Sequence, residues 1–321
     1  DRKVVEYLKD CGHEVLVYTF PFEVERVAKD DLELLIEDKL CHEELLEFNL
    51  HLKKTFPIPT IALVHYLEYL EPVPQQEKIK EKEKEFLKTC DAVIVNSVGT
   101  SKELRELGVE LSTLIAYPGC DHLAPPPEFK RRPPPNFLKL LSVGNLIPGK
   151  GFHLLLDALG ELSDYPWELR IVGDETVDVR YVELLRNKAR ELGDRVWFLG
   201  KVPPKELSEI YLDSDLFVLT SYFEGYGIVV AEAVLHLLPI IASRVGGIPE
   251  IIHDGKEGIL IPSGDKSALK QALQDFLEHP EHLEPFIEAC ALRRPSLPIW
   301  EETGKVIENF LSGFCHGQFR A

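Results

Sequence analysis

The sequence predicts an α/β chain of two domains, each built on a parallel β-sheet with helices on both faces. Three observations carry this prediction. Strand-like and helical segments alternate along the chain, a proline-rich segment interrupts the alternation, and 321 residues are enough to form two hydrophobic cores. Strands that alternate with helices pair in parallel, because each crossover helix returns the chain to the same end of the sheet.

The first half contains three segments rich in β-branched and aromatic residues, which predict strands at 14–19, 59–64 and 92–96. Helical patterns occupy 77–88 and 100–107, and the first eight residues already resemble the middle of a helix. A parallel α/β domain ordinarily begins with a strand, and the sequence contains no methionine. We therefore expect that N-terminal residues, and methionines elsewhere, are missing from this sequence.

A proline-rich segment separates the two halves. Six prolines between Pro125 and Pro135 exclude a continuous helix or strand and predict a stiff linker. We place a first domain at 1–136, a second at 137–298 and a terminal helix at 299–321. Strands of the second domain are predicted at 138–143, 169–172, 196–199, 216–220 and 240–243.

Composition excludes several classes of protein. A net charge of −18 argues against a nucleic-acid-binding surface, and the six cysteines have no spacing typical of disulfides or zinc sites. No apolar run reaches membrane-spanning length and no signal peptide is recognisable, so we expect a cytoplasmic protein. The basic patches 51–54 and 130–132 are interpreted as solvated, although they leave open a peripheral contact with anionic lipid.

The most informative segment is 221–233, SYFEGYGIVVAEA, which joins a predicted strand to an apolar helix that ends before Pro239. Loops at the carboxyl ends of parallel strands bind ligands, and the free N–H groups of a helix N-terminus attract anions. Glu224 lies in the loop and Glu232 lies two turns into the helix. Carboxylates repel phosphate but accept hydrogen bonds from hydroxyl groups. A sugar nucleotide has hydroxyl groups on both sides of its diphosphate. The segment therefore favours a nucleotide-sugar donor over an ordinary strand-to-helix turn.

The segment 144–151, GNLIPGKG, nearly matches the P-loop pattern GxxxxGK[ST]. Gly151 replaces the residue whose hydroxyl would hold magnesium, which argues against an NTPase. Lys150 remains as a cation in a glycine-rich turn between a strand and a helix.

Together these motifs resemble those of retaining GT-B glycosyltransferases, specifically glycosyltransferase family 4. The segment from Glu224 to Glu232 is similar to the family's E-x-seven-E motif, and 144–151 is similar to its G-R/N-x-x-x-x-K-G turn. Weaker similarities are Arg170–Asp174, Phe198–Val202 and Tyr117–Asp121. The resemblance implies two Rossmann-like domains facing a cleft, with the terminal helix returning to the first domain.

The resemblance also implies a role for individual residues. Glu224, Lys150 and His65 are the expected catalytic residues, and Glu232 is expected to bind the ribose. The diphosphate is expected at Lys150, Asn145, Gly227 and Ile228, the donor sugar at Glu224, Gly225 and Tyr226, and the base beside Gly173 and Val202. Asn145 stands where the family commonly has an arginine, so it supplies a hydrogen bond without a charge.

The expected activity is transfer of a sugar from a UDP-, GDP- or ADP-sugar to a hydroxyl of a sugar, a lipid-linked acceptor or a small molecule, with retention at the anomeric carbon. No cofactor and no divalent metal are expected, because Lys150 and the helix dipole stabilise the diphosphate. Two alternatives remain open: an epimerase that acts on the nucleotide sugar alone, and a non-catalytic protein that binds nucleotide sugars.

Overall fold

The computed structural model describes residues 2–19, 27, 32–55, 58–71, 75–125, 129–131, 133 and 135–315. The chain divides into two compact units. Unit 1 comprises Asp1–Gly119 and Pro298–Ala321, and unit 2 comprises Cys120–Leu297. Each unit is an α/β body with one parallel sheet, as the sequence predicts.

Unit 1 contains a four-stranded parallel sheet in the order β1-β2-β3-β4. Its strands are β1 (Leu35–Asp38), β2 (Thr60–Val64), β3 (Ala92–Val95) and β4 (Ser112–Ile115). Its helices are α1 (Arg2–Asp10), α2 (His42–Thr55), α3 (Gln76–Leu87), α4 (Val98–Glu106) and the last helix of the chain, α12 (Trp300–Cys315). Apolar residues of α1 and α12, among them Leu8, Ile307 and Leu311, form a shared cluster with Ile61 of β2.

Unit 2 contains a six-stranded parallel sheet in the order β10-β9-β8-β5-β6-β7. Its strands are β5 (Leu138–Val143), β6 (Trp167–Val172), β7 (Val196–Gly200), β8 (Leu216–Leu219), β9 (Ile240–Ser243) and β10 (Gly258–Ile261). Its helices are α5 (Phe152–Gly160), α6 (Val179–Glu191), α7 (Pro204–Asp213), α8 (Ile228–Leu235), α9 (Ile248–Ile251), α10 (Lys266–Glu278) and α11 (Glu284–Arg293). The strand order reverses at β5 and β8, which are hydrogen-bonded neighbours through Leu140 and Leu216.

Most predicted strands are confirmed to within two residues, but one is wrong. Residues 14–19 form no strand and no β-ladder with any part of the described chain, and Leu16 and Val17 are exposed. The β-branched composition of this segment satisfies a strand pattern, yet a strand also needs a partner backbone. Within the described residues the first strand is Leu35–Asp38, and neither it nor β4 nor β10 was predicted from the sequence.

The helix α8 ends at Leu235, three residues before the predicted end. Leu237 adopts a left-handed conformation with φ of 55°, which terminates the helix. The N–H of Leu238 donates to the carbonyl of Ala233, and the N–H of Leu237 donates to the carbonyl of Val234, both at 2.9 Å. These two bonds form a Schellman motif, in which glycine is the usual left-handed residue.

The predicted linker is only partly described, but Arg131 shows that it is attached to unit 2. The Arg131 guanidinium donates to the carbonyls of Tyr211, Ser214 and His236. Unit 2 accordingly includes this segment and begins at Cys120, whereas the sequence places the boundary after residue 136. Arg131 is therefore bound to protein carbonyls rather than solvated as interpreted from the sequence.

A glycine at 151 lets the loop after β5 pass directly over the end of β8. Gly151 has φ of +67°, and a Cβ there would lie 2.2 Å from the carbonyl oxygen of Thr220. The resulting contact fixes the two loops against one another. Gly193, with φ of +70°, has the same left-handed backbone, but a Cβ added there would meet no atom within 4 Å.

These two glycines provide a matched test of the contact. Each alanine variant places a Cβ on a left-handed residue, at a cost of about 1–2 kcal/mol. We expect Gly151→Ala to lower the thermal unfolding temperature clearly more than Gly193→Ala, because only Gly151→Ala also forces the two loops apart. Equal decreases, measured by circular dichroism, would contradict a structural role for this contact.

Candidate active site

The site begins where the loops that follow β5 and β8 meet. A short 3-10 turn, Pro148–Lys150, ends the first loop. The Thr220 hydroxyl donates to the carbonyls of Lys150 at 3.2 Å and Gly151 at 2.9 Å, and the Tyr222 N–H donates to the Gly149 carbonyl at 2.8 Å. Two backbones that start from neighbouring strands are thus joined at the carboxyl edge of the sheet.

Lys150 and Glu224 form an ion pair across this junction. The Lys150 ammonium lies 2.6 Å from Glu224 Oε1, and the Ser221 hydroxyl donates to the same oxygen at 2.7 Å. The Glu224 side chain is 9% exposed and the Lys150 side chain is 20% exposed. A cation and a carboxylate are therefore held together in a largely desolvated position that still reaches solvent.

The backbone around Glu224 leads directly into helix α8. The N–H of Gly247 donates to the Gly225 carbonyl at 2.9 Å, and Tyr226 is buried. Gly227 precedes the helix with φ of 89° and provides no side-chain cap. The first N–H groups of α8, from Ile228 onward, consequently lack a capping side chain, and they lie four residues after Glu224 in the chain.

Glu232 occupies a second polar position inside α8 and is 5% exposed. The Tyr211 hydroxyl donates to Glu232 Oε2 at 3.0 Å. His122 Nε2 lies 3.4 Å from the other oxygen, Oε1. Each carboxylate oxygen of Glu232 therefore faces a different polar side chain.

Tyr211 is itself fixed by its surroundings. Its ring stacks on His236 with centroids 4.8 Å apart and an angle of 17° between the planes. Burial, reinforced by Glu232, raises the pKa of Tyr211 well above its usual value, so the phenol stays protonated and donates. Burial also lowers the pKa of His236 to about 4, so this imidazole is neutral at pH 7.

The remaining predicted residues of unit 2 lie along the same edge of the sheet. Asn145 is exposed immediately after β5, and a Cβ on Gly173 would lie 1.8 Å from the Gly144 carbonyl oxygen. Gly173 follows β6 and Val202 follows β7, and these strands are neighbours. The Gly173 N–H donates to the carbonyl of Gly200 at 3.0 Å. The structure thus brings Asn145, Gly173 and Val202 to the edge that carries Lys150.

His65 belongs to unit 1 and follows strand β2. Asn96 donates from its side-chain amide to the His65 carbonyl at 2.7 Å, and Asp38 Oδ2 lies 4.0 Å from His65 Nε2. Burial lowers the pKa of His65, while Asp38 acts in the opposite direction. His65 therefore stands at the carboxyl edge of its own sheet beside a carboxylate from the end of β1.

One group of potential metal ligands occurs in the described part of the chain. His279, Glu281 and His282 bring their ligand atoms within 4.8 Å of one another, and all three are exposed. They follow the carboxyl end of α10, where Glu278 accepts a hydrogen bond from Tyr165, just before β6 begins. The group therefore lies at the amino edge of the sheet, opposite the loops of the candidate site.

Three residues of the site were not identified from the sequence. The Ser221 hydroxyl donates to Glu224 and the Tyr211 hydroxyl donates to Glu232. No sequence motif singles out either hydroxyl. His122 lies on a 3-10 turn, Asp121–Leu123, directly after the weakly similar segment Tyr117–Asp121. Its position two residues after a buried glycine–cysteine pair gave no indication of a contact with a helix 110 residues further along the chain.

Comparison with known proteins places these features in a family. A family model described as glycosyl transferases group 1 matches residues 127–292, which is more than half of the chain. A D-inositol 3-phosphate glycosyltransferase of Corynebacterium efficiens is 30% identical over 251 residues, covering 70% of this chain. The chain spans only 58% of the length of that relative. A mannosylfructose-phosphate synthase of Agrobacterium fabrum is 31% identical over 44% of this chain and 33% of its own.

Solved structures share the fold. A sucrose-phosphate synthase of Thermosynechococcus elongatus aligns with a TM-score of 0.75 and 23% identity over 90% of this chain and 75% of its own. HepE of Anabaena, in complex with UDP and glucose, aligns with a TM-score of 0.75 and 20% identity over 90% of this chain and 80% of its own. Among the described residues, no helix combines the length and the apolar character needed to cross a membrane. The chain belongs to the group 1 glycosyltransferases and has their GT-B fold.

Proposed function

We propose that the chain is a retaining glycosyltransferase that transfers a sugar from a nucleotide-sugar donor to a hydroxyl acceptor without a divalent metal. The observation that carries this proposal is the 2.6 Å pair of Lys150 and Glu224 beside the uncapped start of α8. This arrangement combines a cation and backbone N–H groups for a diphosphate with a carboxylate for sugar hydroxyls.

The pair explains how a charged donor enters a site that already contains a carboxylate. Without a ligand, Lys150 and Glu224 neutralise one another. The doubly charged diphosphate attracts the Lys150 ammonium more strongly than Glu224 does. The N–H groups at Gly227 and Ile228 donate further hydrogen bonds to it, and the uncharged Asn145 amide donates another. Glu224 retains its hydrogen bond from the Ser221 hydroxyl and can now accept hydrogen bonds from the sugar, which lies next to Gly225 and Tyr226. The charge that develops on the leaving diphosphate is then stabilised by groups that are already in position.

The other residues complete the donor site. Glu232 binds the ribose hydroxyls, and Gly173 and Val202 leave room for the base at the ends of β6 and β7. His65, at the carboxyl edge of the sheet of unit 1, is kept as a predicted catalytic residue. The leaving diphosphate takes the acceptor proton, so that no protein base is needed and the anomeric configuration is retained.

The nature of the donor is supported by the solved relatives. HepE has been solved with UDP, with UDP and glucose, and with UDP-glucose. We propose a UDP-, GDP- or ADP-sugar as the donor of this chain and a hydroxyl of a sugar, a lipid-linked acceptor or a small molecule as its acceptor. D-inositol 3-phosphate is a first acceptor to test, because it is named in the activity of a relative.

The direct test uses the purified chain with UDP-glucose, GDP-mannose and ADP-glucose, each with and without acceptor. The product is followed by proton NMR, which reports the anomeric configuration. We expect one donor to raise the unfolding temperature and to give a product with the donor's configuration. An inverted product would refute retention, and conversion of the donor into its epimer in the absence of acceptor would identify an epimerase instead.

Lys150→Ala tests the phosphate role. We expect a decrease in kcat on the order of 10²-fold or more, because the developing charge loses the lysine at this junction. Lys139→Ala is the matched control, since Lys139 is also paired with a carboxylate, Asp213 at 2.8 Å, but lies at the amino end of β5. Similar rates for the two variants, with similar unfolding temperatures, would show that Lys150 does not stabilise the diphosphate.

Metal independence is a separate prediction. We expect full turnover in excess EDTA, because Lys150 and the α8 N-terminus supply the positive charge and Gly151 offers no hydroxyl to hold a cation. The measurement compares initial rates with EDTA, magnesium and manganese. Loss of transfer in EDTA that magnesium or manganese restores would refute this part of the proposal.

The two glutamates are expected to act on different parts of the donor. Each contact of a hydroxyl with a charged carboxylate contributes about 1.5–3 kcal/mol. Glu232→Gln should therefore weaken calorimetric binding of the bare nucleoside diphosphate. Glu224→Gln should leave that binding nearly unchanged and lower kcat, because its contact with the sugar strengthens in the transition state. Equal losses of nucleoside diphosphate affinity in the two variants would refute this division.

A further inference from the structure

The position of His122 suggests a role in the ribose site, and this inference rests on the proposed function. His122 stands on the turn Asp121–Leu123, at the start of unit 2, and its side chain is 32% exposed. Glu232, by contrast, is almost fully buried, with a side chain that is 6% exposed. The imidazole is therefore the solvent-accessible partner of a buried carboxylate.

The two contacts of Glu232 differ in character. The single Tyr211 hydroxyl proton is shared between Glu232 Oε2 at 3.0 Å and the Val229 carbonyl at 3.2 Å, and the Tyr211 ring stacks on His236. His122 Nε2 lies 3.4 Å from Oε1, beyond the usual range of 2.7–3.2 Å for such a bond. One oxygen is thus firmly held, while the other has a nearby donor that can shift.

The lone pairs of the carboxylate define what can still bind. A carboxylate accepts about four hydrogen bonds, and Tyr211 and His122 account for one on each oxygen. One acceptor position on each oxygen remains, which suits two adjacent hydroxyls. The vicinal 2′- and 3′-hydroxyls of a ribose have this arrangement.

We propose that His122 is a positioning residue for the ribose: with Tyr211 it fixes the plane of the Glu232 carboxylate so that both oxygens face the two ribose hydroxyls. The imidazole tightens onto Oε1 when a nucleotide excludes water from the site. His122 thereby increases the preference of the site for ribonucleotides over nucleotides that lack these hydroxyls.

The experiment measures calorimetric affinities for UDP and for 2′,3′-dideoxy-UDP, or for the corresponding GDP or ADP pair if the parent protein binds that nucleotide. We expect His122→Ala to weaken UDP binding about five- to tenfold, the loss of a hydrogen bond, and to leave dideoxy-UDP binding unchanged. His122→Gln, which places an amide nitrogen near the position of Nε2, should restore most of the affinity for UDP. In the Glu232→Gln background the effect of His122→Ala should largely disappear, because the two side chains act together.

His282→Ala is the control, because His282 also lies beside a carboxylate, Asp275 Oδ2 at 3.1 Å, but at the amino edge of the sheet. It should change neither affinity. Equal weakening of UDP and dideoxy-UDP by His122→Ala would show a general structural role and overturn the inference, as would unchanged UDP affinity. Both results leave the proposed transferase activity intact, whereas a parent protein that binds none of the three nucleotides would overturn both.

Discussion

The candidate site depends on the close contact between two loops that leave neighbouring parallel strands. Strands β5 and β8 are hydrogen-bonded to one another, so their carboxyl ends emerge side by side. Thr220 then joins the loops, and glycine at 151 allows the backbones to touch. Only with this contact in place do Lys150 and Glu224, 74 positions apart in the sequence, meet at 2.6 Å.

The same junction is what reconciles the acidic chain with the nucleotide-sugar donor that we propose. A net charge of −18 repels a diphosphate at long range, and salt screens that repulsion over roughly 10 Å. In the proposed function, diphosphate binding therefore relies on local hydrogen-bond donors, which are Lys150, the neutral amide of Asn145 and the N–H groups at the start of α8. Glu224 is paired with this lysine and Glu232 lies inside α8, and we propose that both carboxylates bind hydroxyls of the donor rather than its phosphates.

The sequence predicted the centres of both sheets better than their edges. Strands such as 138–143 and 240–243 are buried on both faces and appear as apolar runs with confirmed bounds. All three missed strands, β1, β4 and β10, are edge strands of four residues. Asp38 dilutes the apolar pattern of β1 and Ser112 that of β4, whereas β10 is an apolar run of only three residues after Gly258. Motif spacing predicted Lys150, Glu224 and Glu232 as site residues, but it did not indicate Tyr211 or His122. Their contacts with Glu232 arise from packing between elements, which a one-dimensional pattern does not record.

The central claim is that Lys150 exchanges Glu224 for the diphosphate of a nucleotide-sugar donor. A crystal structure of the chain with the nucleoside diphosphate that it binds tests this most directly. The account predicts the Lys150 ammonium within about 2.7–3.2 Å of a phosphate oxygen, with Glu224 still bonded to Ser221. A diphosphate bound elsewhere, with the Lys150–Glu224 pair intact, would contradict it.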